Sequence, residues 1–298
     1  MDLLTLKLIH IDHCRGLGRK TIRAFLKIDP TLQFLDCCTV KDLTETFHMT
    51  GQYAELFLKD FHLFQPDKTA RIYLDRGISV IPVHSPMYPR LLKKIYDPPF
   101  LIYAKGRVDL LQEQHMLSVV GTRHPSHEVV PVMKCLLHPL IDRGWTIVSG
   151  MALGVDGIAH RLAMNGKTIA VLGSGICCPY PRQHMPLFAG LCSKQLVLSE
   201  YPPFSPPARW RFPERNRIIS GMSQGTLVIE AREKSGSLIT ADQALEQGRE
   251  VFAVPGSILN DNSKGTHRLI QQGAKLVTET EDILEELQNL SGTGKQEL

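Results

Sequence analysis

The sequence predicts an α/β protein: a Rossmann-like parallel-sheet domain, extended by extra strands and preceded by a small all-α domain. Three observations carry this expectation. From about residue 113 onward, short continuous apolar runs alternate with helix-length amphipathic segments, which is the pattern of a parallel sheet covered on both faces. Most of these runs end at a glycine or a small polar residue (Gly121, Gly150, Gly173, Ser199, Gly256), where an open α/β sheet delivers its ligand-binding loops. Residues 1–65, in contrast, hold only short helical segments.

Taken in order, residues 1–65 form a helical domain of SAM-like or helix-hairpin-helix-like type. Its distinctive stretch is Cys14 to Ile22, C-R-G-L-G-R-K-T-I, a G-x-G turn followed by a helix. The turn amides can meet a phosphate at the helix N-terminus, or the glycines can serve packing alone; the residues leave both readings open. Residues 66–112 change character, with strand-like runs at Gly77–Val83 and Pro99–Gly106 and prolines between them, and read as a strand-containing extension of the next domain. The Rossmann-like domain, 113–290, has strand-like runs at 116–122, 145–150, 167–174, 195–201, 226–231, 250–256 and 274–278. Trp210 to Met222 reads as an arginine–aromatic loop leading into an apolar run. A helix follows residue 279, and the polar tail 291–298 is expected to be frayed.

Composition narrows the function classes. A chain of 298 residues with 43% hydrophobic and 21% charged residues is well cored and long enough for two or three domains. Its net charge of +4 permits nucleic-acid binding without demanding it, so any basic patch must be local. Seven cysteines, two adjacent pairs among them and no C-x-x-C, read as reduced thiols and argue against zinc. Asp2 precedes the first apolar residues, no cleavage site follows, and no apolar run approaches the ~18 residues of a membrane span. The expectation is a cytoplasmic protein with no membrane span, no cofactor and no metal.

The strand ends carry the chemistry. V-V-G-T-R brings Gly121, Thr122 and Arg123 to the first loop, with the arginine able to reach an anion. S-G-M-A-L-G-V-D-G-I-A-H, starting at Ser149, puts Gly150 and Gly154 in a tight turn ahead of a helix, where amides and helix dipole favour a phosphate. It is not a G-x-G-x-x-G fingerprint, which disfavours a dinucleotide redox enzyme. The segment W-R-F-P-E-R-N-R interleaves Trp210 and Phe212 with Arg209, Arg211, Arg215, Asn216 and Arg217. Guanidinium groups neutralise phosphates and flat rings accept unstacked bases, as a single-strand channel requires. Lys234, Ser235, Gly236 and Ser237 then open another helix as a further anion site. Several such loops in a row suit a polymer of phosphates better than one mononucleotide. Asp156 and His160, spaced i, i+4, and Glu230 at a strand end are the candidate catalytic groups, and a structural hydrogen bond accounts for them better than acid–base chemistry.

The series S-V-V-G-T-R, I-V-S-G-M-A-L-G-V-D-G-I-A-H, F-P-E-R-N-R-I-I-S-G-M and V-I-E-A-R-E-K-S-G-S-L-I-T-A resembles the DNA-processing protein A family, DprA, also called Smf, in order from about Ser118 to Val277. The resemblance implies a bacterial protein of natural transformation that binds incoming single-stranded DNA, dimerises and loads RecA past single-strand-binding protein. It maps the family's glycine–serine/threonine–arginine motif onto Gly121–Arg123, its arginine–asparagine–arginine motif onto Arg215–Arg217 and its serine–glycine–serine loop onto Lys234–Ser237. Many members carry a C-terminal winged-helix-like domain. The residues after Leu287 are too few for one, so its role is expected to be absent or supplied elsewhere.

Two further expectations follow. The family dimerises late in the Rossmann-like domain, which points to Leu269, Ile270, Leu276 and Val277 as a homodimer interface, unless they only cover the last strand. The competing function is a nucleotide-processing hydrolase of the phosphoribohydrolase-like Rossmannoid class. Those enzymes carry P-G-G-x-G-T-x-x-E where this chain has K-S-G-S-L-I-T-A-D, without the double glycine or the glutamate.

Overall fold

Residues 1–293 are described by the computed structural model, and the chain divides after Pro82 into two units, each treated by itself below. The first contains helices α1 (Leu3–Asp12), α2 (Arg19–Ile28), α3 (Val40–Phe47), α4 (Gly51–Leu63) and α5 (Pro66–Asp75), and ends on the short strand β1 (Ser79–Pro82). Side chains fix where α1, α3 and α4 begin. The Asp2 carboxylate accepts the Thr5 amide at 2.8 Å, and Thr39 and Asp42 form a reciprocal capping box before α3. The apolar faces converge on Leu8, Ile9, Phe25, Leu43 and Phe57, all fully buried. Arg15, in the G-x-G turn, forks onto Asp60 of α4 at 2.7 and 2.8 Å, which supports the packing reading of that turn.

Two histidines join α1 to its neighbours. His10 lies flat on Phe61 with ring centroids 3.8 Å apart, and its Nε2 is 2.6 Å from the Phe61 carbonyl. His13 bonds the Ile9 carbonyl at 2.7 Å through Nδ1 and the Tyr73 hydroxyl at 2.6 Å through Nε2.

The second unit is an open sheet with helices on its faces. Its elements are β2 (Leu101–Gly106), β3 (Met116–Val120), α6 (Val129–Asp142), β4 (Thr146–Ser149), α7 (Val155–Leu162), β5 (Lys167–Leu172), α8 (Met185–Lys194), β6 (Leu196–Ser199), α9 (Arg211–Met222), β7 (Gly225–Val228), α10 (Gly236–Glu246), β8 (Glu250–Ala253), α11 (Lys264–Gln271), β9 (Lys275–Leu276) and α12 (Thr280–Thr293). Within this unit the strands lie in the order β2-β6-β5-β4-β3-β7-β8-β9. All run parallel except β2, which pairs antiparallel with β6, Tyr103 opposite Ser199. The central strands are apolar throughout because both faces are covered: Leu117, Ile147, Leu227 and Phe252 pack with Met133, Leu137 and Leu140 of α6.

Three boundaries differ from the sequence reading. Residues 66–75, expected in a strand-containing extension, form α5 and belong to the first unit. Pro66 starts that helix at its first position, and the helix buries Tyr73. Residues 211–222, read as a loop, form α9. Pro213 misled that reading, although a proline in the first turn leaves no intrahelical bond unmade. The tail begins later than 291, since α12 continues to Thr293; the rest of that segment lies outside the described residues. No described helix is long and apolar enough to cross a membrane.

Burial lowers the pKa of both His10 and His13 below the ordinary 6.5. The unfolded chain therefore takes up these protons first. The stability they contribute is complete above that value and is lost as pH falls from it toward the folded pKa values. Amides of α1 and α4 should lose hydrogen-exchange protection between about pH 7 and pH 5, and protection that stays constant over that range would refute this assignment.

Candidate nucleic-acid interface

The strand order reverses at β3, with β4 on one side and β7 on the other. Loops diverge at such a switch point and leave a crevice beyond the carboxyl ends of the strands. A cavity of about 580 Å³ occupies it, lined by Gly121–His124 after β3, Ala152 and Asp156 around the start of α7, Phe212, Arg215, Asn216 and Ile219 of α9, and Arg232 with Lys234–Ser237 before α10. Thr122 closes the seam between β3 and β7, donating its amide to the Glu230 carbonyl at 2.8 Å.

The cations around this cavity fall into two groups. Arg123, Arg209, Arg232 and Lys234 line it and are exposed. Arg232 is steadied by Asn262 at 3.1 Å. Lys234 stands beside the start of α10, where Ser235 and Ser237 share a hydroxyl bond of 2.8 Å and no side chain caps the helix. Its first amides and the positive end of its dipole thus add to the lysine charge. Phe212 and Tyr180, ring centroids 5.6 Å apart, supply an aromatic wall. Trp210 stands outside at 57% exposure, edge-on to Tyr201 at 6.1 Å, with the Arg211 guanidinium 4.6 Å from the Tyr201 ring centroid and 5.0 Å from that of Trp210.

Arg215 and Arg217, expected to meet phosphates, belong to the second group and are engaged within the protein. Arg215 is buried in the cavity floor, donating to the Gly150 carbonyl at 2.7 Å and to the Val171 carbonyl. Burial pulls its guanidinium down to about 10, against the attraction of Asp156, so it remains charged at neutral pH. Gly150 is therefore a close-approach residue, since a Cβ there would collide with the guanidinium. Arg217 turns to the opposite flank of α9 and pairs with Glu200 at 2.5 Å and Asp97 at 3.5 Å. Burial opposes its charge, but these carboxylates more than offset that and hold it above its ordinary range. Asn216 lies between the two arginines, accepting from Arg215 Nε and donating to the Gly236 carbonyl, each at 3.2 Å.

Other expected residues serve the framework. Ser149 is fully buried and donates to the Val119 carbonyl at 2.6 Å, so it does not face the cavity. Gly154 adopts φ +75° against the Thr122–Arg123 backbone, a conformation and a spacing that exclude a side chain. Gly121 sits against Val155 at the start of α7. Asp156 and His160 bind different groups: the carboxylate accepts the Gly150 and Ala152 amides at 3.1 and 3.2 Å, whereas the imidazole meets Thr168 at 2.7 Å. Glu230 accepts the Ser126 amide at 3.0 Å. Of the expected dimer residues, Leu269 and Val277 are buried in their own unit, which corrects their assignment to a surface. Ile270 is half-buried and Leu276 is 42% exposed. The sequence reading missed Arg232, His124 and Tyr180 as lining residues. Arg232, two positions before Lys234 on one loop, offered a signal; Tyr180 reaches the cavity from after β5 and offered none.

This division has a measurable consequence. Arg217→Ala removes the cation shared by Glu200 and Asp97 in a largely buried site and should lower unfolding free energy by about 3 kcal/mol. Arg123→Ala should leave the urea midpoint where it is. Equal midpoints for Arg217→Ala and the unaltered protein would show that the ion pair does not hold the fold.

Comparison with known proteins agrees with this architecture. Residues 79–288 match the family model described as DNA recombination-mediator protein A. The chain is 48% identical over 217 residues to DNA processing protein DprA of Bacillus subtilis, covering 72% of this chain and 73% of that one. It is also 48% identical over 212 residues to Protein Smf of Escherichia coli, covering 70% of this chain and 56% of the relative. The X-ray structure of DNA processing protein A from Streptococcus pneumoniae aligns with a TM-score of 0.84 at 35% identity, over 96% of this chain and 99% of that one. A Helicobacter pylori DNA processing protein A, whose structure is described for its single-stranded DNA binding mode, aligns with a TM-score of 0.64 at 28% identity, over 71% and 96% of the two chains. With this extent of match, and with the switch-point cavity built from the same segments that carried the resemblance, the chain belongs to the DNA recombination-mediator protein A family, DprA/Smf.

Proposed function

We propose that this protein binds single-stranded DNA at the switch-point cavity and acts as a recombination mediator, a homodimer that loads RecA onto incoming strands coated with single-strand-binding protein during natural transformation. The observation that carries this reading is the pairing, around one cavity, of exposed cations (Arg123, Arg209, Arg232, Lys234) with an aromatic wall of Phe212 and Tyr180 and an exposed Trp210 outside it. Phosphates meet the cations and the α10 amides, while unstacked bases meet the rings. A duplex offers neither free base faces nor a fit to so narrow a recess. The single-stranded DNA bound by the Helicobacter pylori relative supports the same ligand.

The activity proposed is binding and hand-over without turnover. Asp156, His160 and Glu230, the polar groups that chemistry could recruit, are engaged in hydrogen bonds that hold loops and strands in place. The interface between protomers is proposed to include Leu276 on the terminal strand β9, exposed Ile239 of α10 and half-buried Ile270 of α11.

Three outcomes are expected. Single strands should bind far more tightly than duplex, with log affinity falling linearly against log salt; Arg123→Ala and Lys234→Ala should each flatten that slope by about 0.7. Equal affinity for duplex, or an unchanged slope in both variants, would overturn the DNA site. RecA-driven strand exchange on protein-coated strands should be stimulated by the protein and not by the Arg123→Ala/Lys234→Ala double variant. Finally, Leu276→Glu should give a folded monomer by light scattering, whereas an unchanged dimer would place the interface elsewhere.

A further inference from the structure

The turn before β2 carries a second patch with the same chemistry as the cavity rim. From Val83 to Arg107 the chain has five lysines and arginines against a single acidic residue, Asp97. That carboxylate is engaged by Arg217 at 3.5 Å. The turn is amphipathic at short range: Leu92 and Ile95 are buried, whereas Arg90, Lys93 and Lys94 are exposed and Tyr96 is 91% exposed. Leu92 and Ile95 pack on α9 at Gly221, where a Cβ would come within 3.0 and 2.9 Å of them. The Tyr88 hydroxyl bonds the Pro99 carbonyl at 2.8 Å, and Arg249 bonds the Leu91 carbonyl at 3.1 Å. The backbone is thus held from three sides, and the polar side chains of Arg90, Lys93 and Lys94 are left outward beside one large ring.

Its position relative to the cavity follows from α9. One face of that helix, through Phe212, Arg215, Asn216 and Ile219, lines the cavity. The other, through Arg217 and Gly221, holds the turn. The turn packs near the end of α9 and the cavity lies near its start, so the two basic surfaces are on opposite faces of the helix and roughly 14 Å apart along its axis; exposed Trp210 stands at the helix start. We propose that the turn is a second binding tract for single-stranded DNA: a strand leaving the cavity passes Trp210 at the start of α9, runs along the flank of that helix, sets phosphates against Arg90, Lys93 and Lys94 and stacks a base on Tyr96. This rests on the single-strand reading of the cavity and extends it to an ordered path outside it.

The test compares a strand of about six nucleotides, enough for the cavity, with one of about thirty. Arg90→Ala/Lys93→Ala/Lys94→Ala should flatten the salt slope of the long strand by about 2, at roughly 0.7 per lost contact, and leave the short strand unaffected. Tyr96→Ala should weaken the long strand about tenfold. Lys93→Glu/Lys94→Glu serves as a second variant, and unchanged melting certifies the fold of each. Long-strand slope and affinity equal to those of the unaltered protein in these variants, or equal weakening of both strands, overturns the tract. If the unaltered protein binds neither strand, the cavity reading itself fails and the tract falls with it. Photocrosslinking of a long bromouridine-substituted strand should give an adduct at Tyr96, which a short strand should not.

Discussion

A buried guanidinium organises the carboxyl edge of this sheet. Parallel strands end there in carbonyls that no neighbouring strand satisfies, and Arg215 reaches in from α9 to bond two of them, at Gly150 after β4 and at Val171 in β5. Charge-assisted bonds of this kind are stronger than neutral ones, and an unpaired charge at this depth would be costly. Asp156, held by the Gly150 and Ala152 amides, supplies the compensating carboxylate and draws the start of α7 into the same knot. The β4–α7 loop, two strand ends and α9 are therefore fixed by one side chain.

With α9 anchored, its two faces acquire different tasks. Phe212, Asn216 and Ile219 form the cavity wall, while Arg217 and Gly221 grip the turn before β2. The aromatic wall is positioned by Gly173 beneath Phe212 and Tyr180 beside it. A ring that is already ordered loses little freedom when a base stacks on it, and this preorganisation favours binding without any change in the chemistry offered.

Charge is divided in the same spirit. The cations that support the architecture are buried and paired with carbonyls or carboxylates; the exposed ones stand at the rim, on the loops after β3, β6 and β7. A modest net charge of +4 is compatible with a polyanionic ligand because the local excess lies along one edge, where the low-dielectric floor beneath it strengthens its field.

Period and punctuation in the sequence determined much of this. Most strands appeared where an apolar run ended in glycine or a small polar residue, because a doubly covered strand must be apolar and its terminal loop must turn sharply; Arg123 and Lys234 were legible as rim cations because each lies in the loop that follows such a strand. Tertiary structure alone decided which arginines stand exposed at the cavity rim and which are engaged inside. Arg215 and Arg217 are two residues apart on a helix, about 200° around its axis, so one helix start sends one guanidinium into the cavity floor and the other to Glu200 on the far flank. Likewise Leu269 and Val277 match exposed Leu276 in character yet lie inside. A sequence states what a side chain can bind, but burial and the carbonyls or carboxylates within reach, brought from residues far along the chain, determine what it does bind.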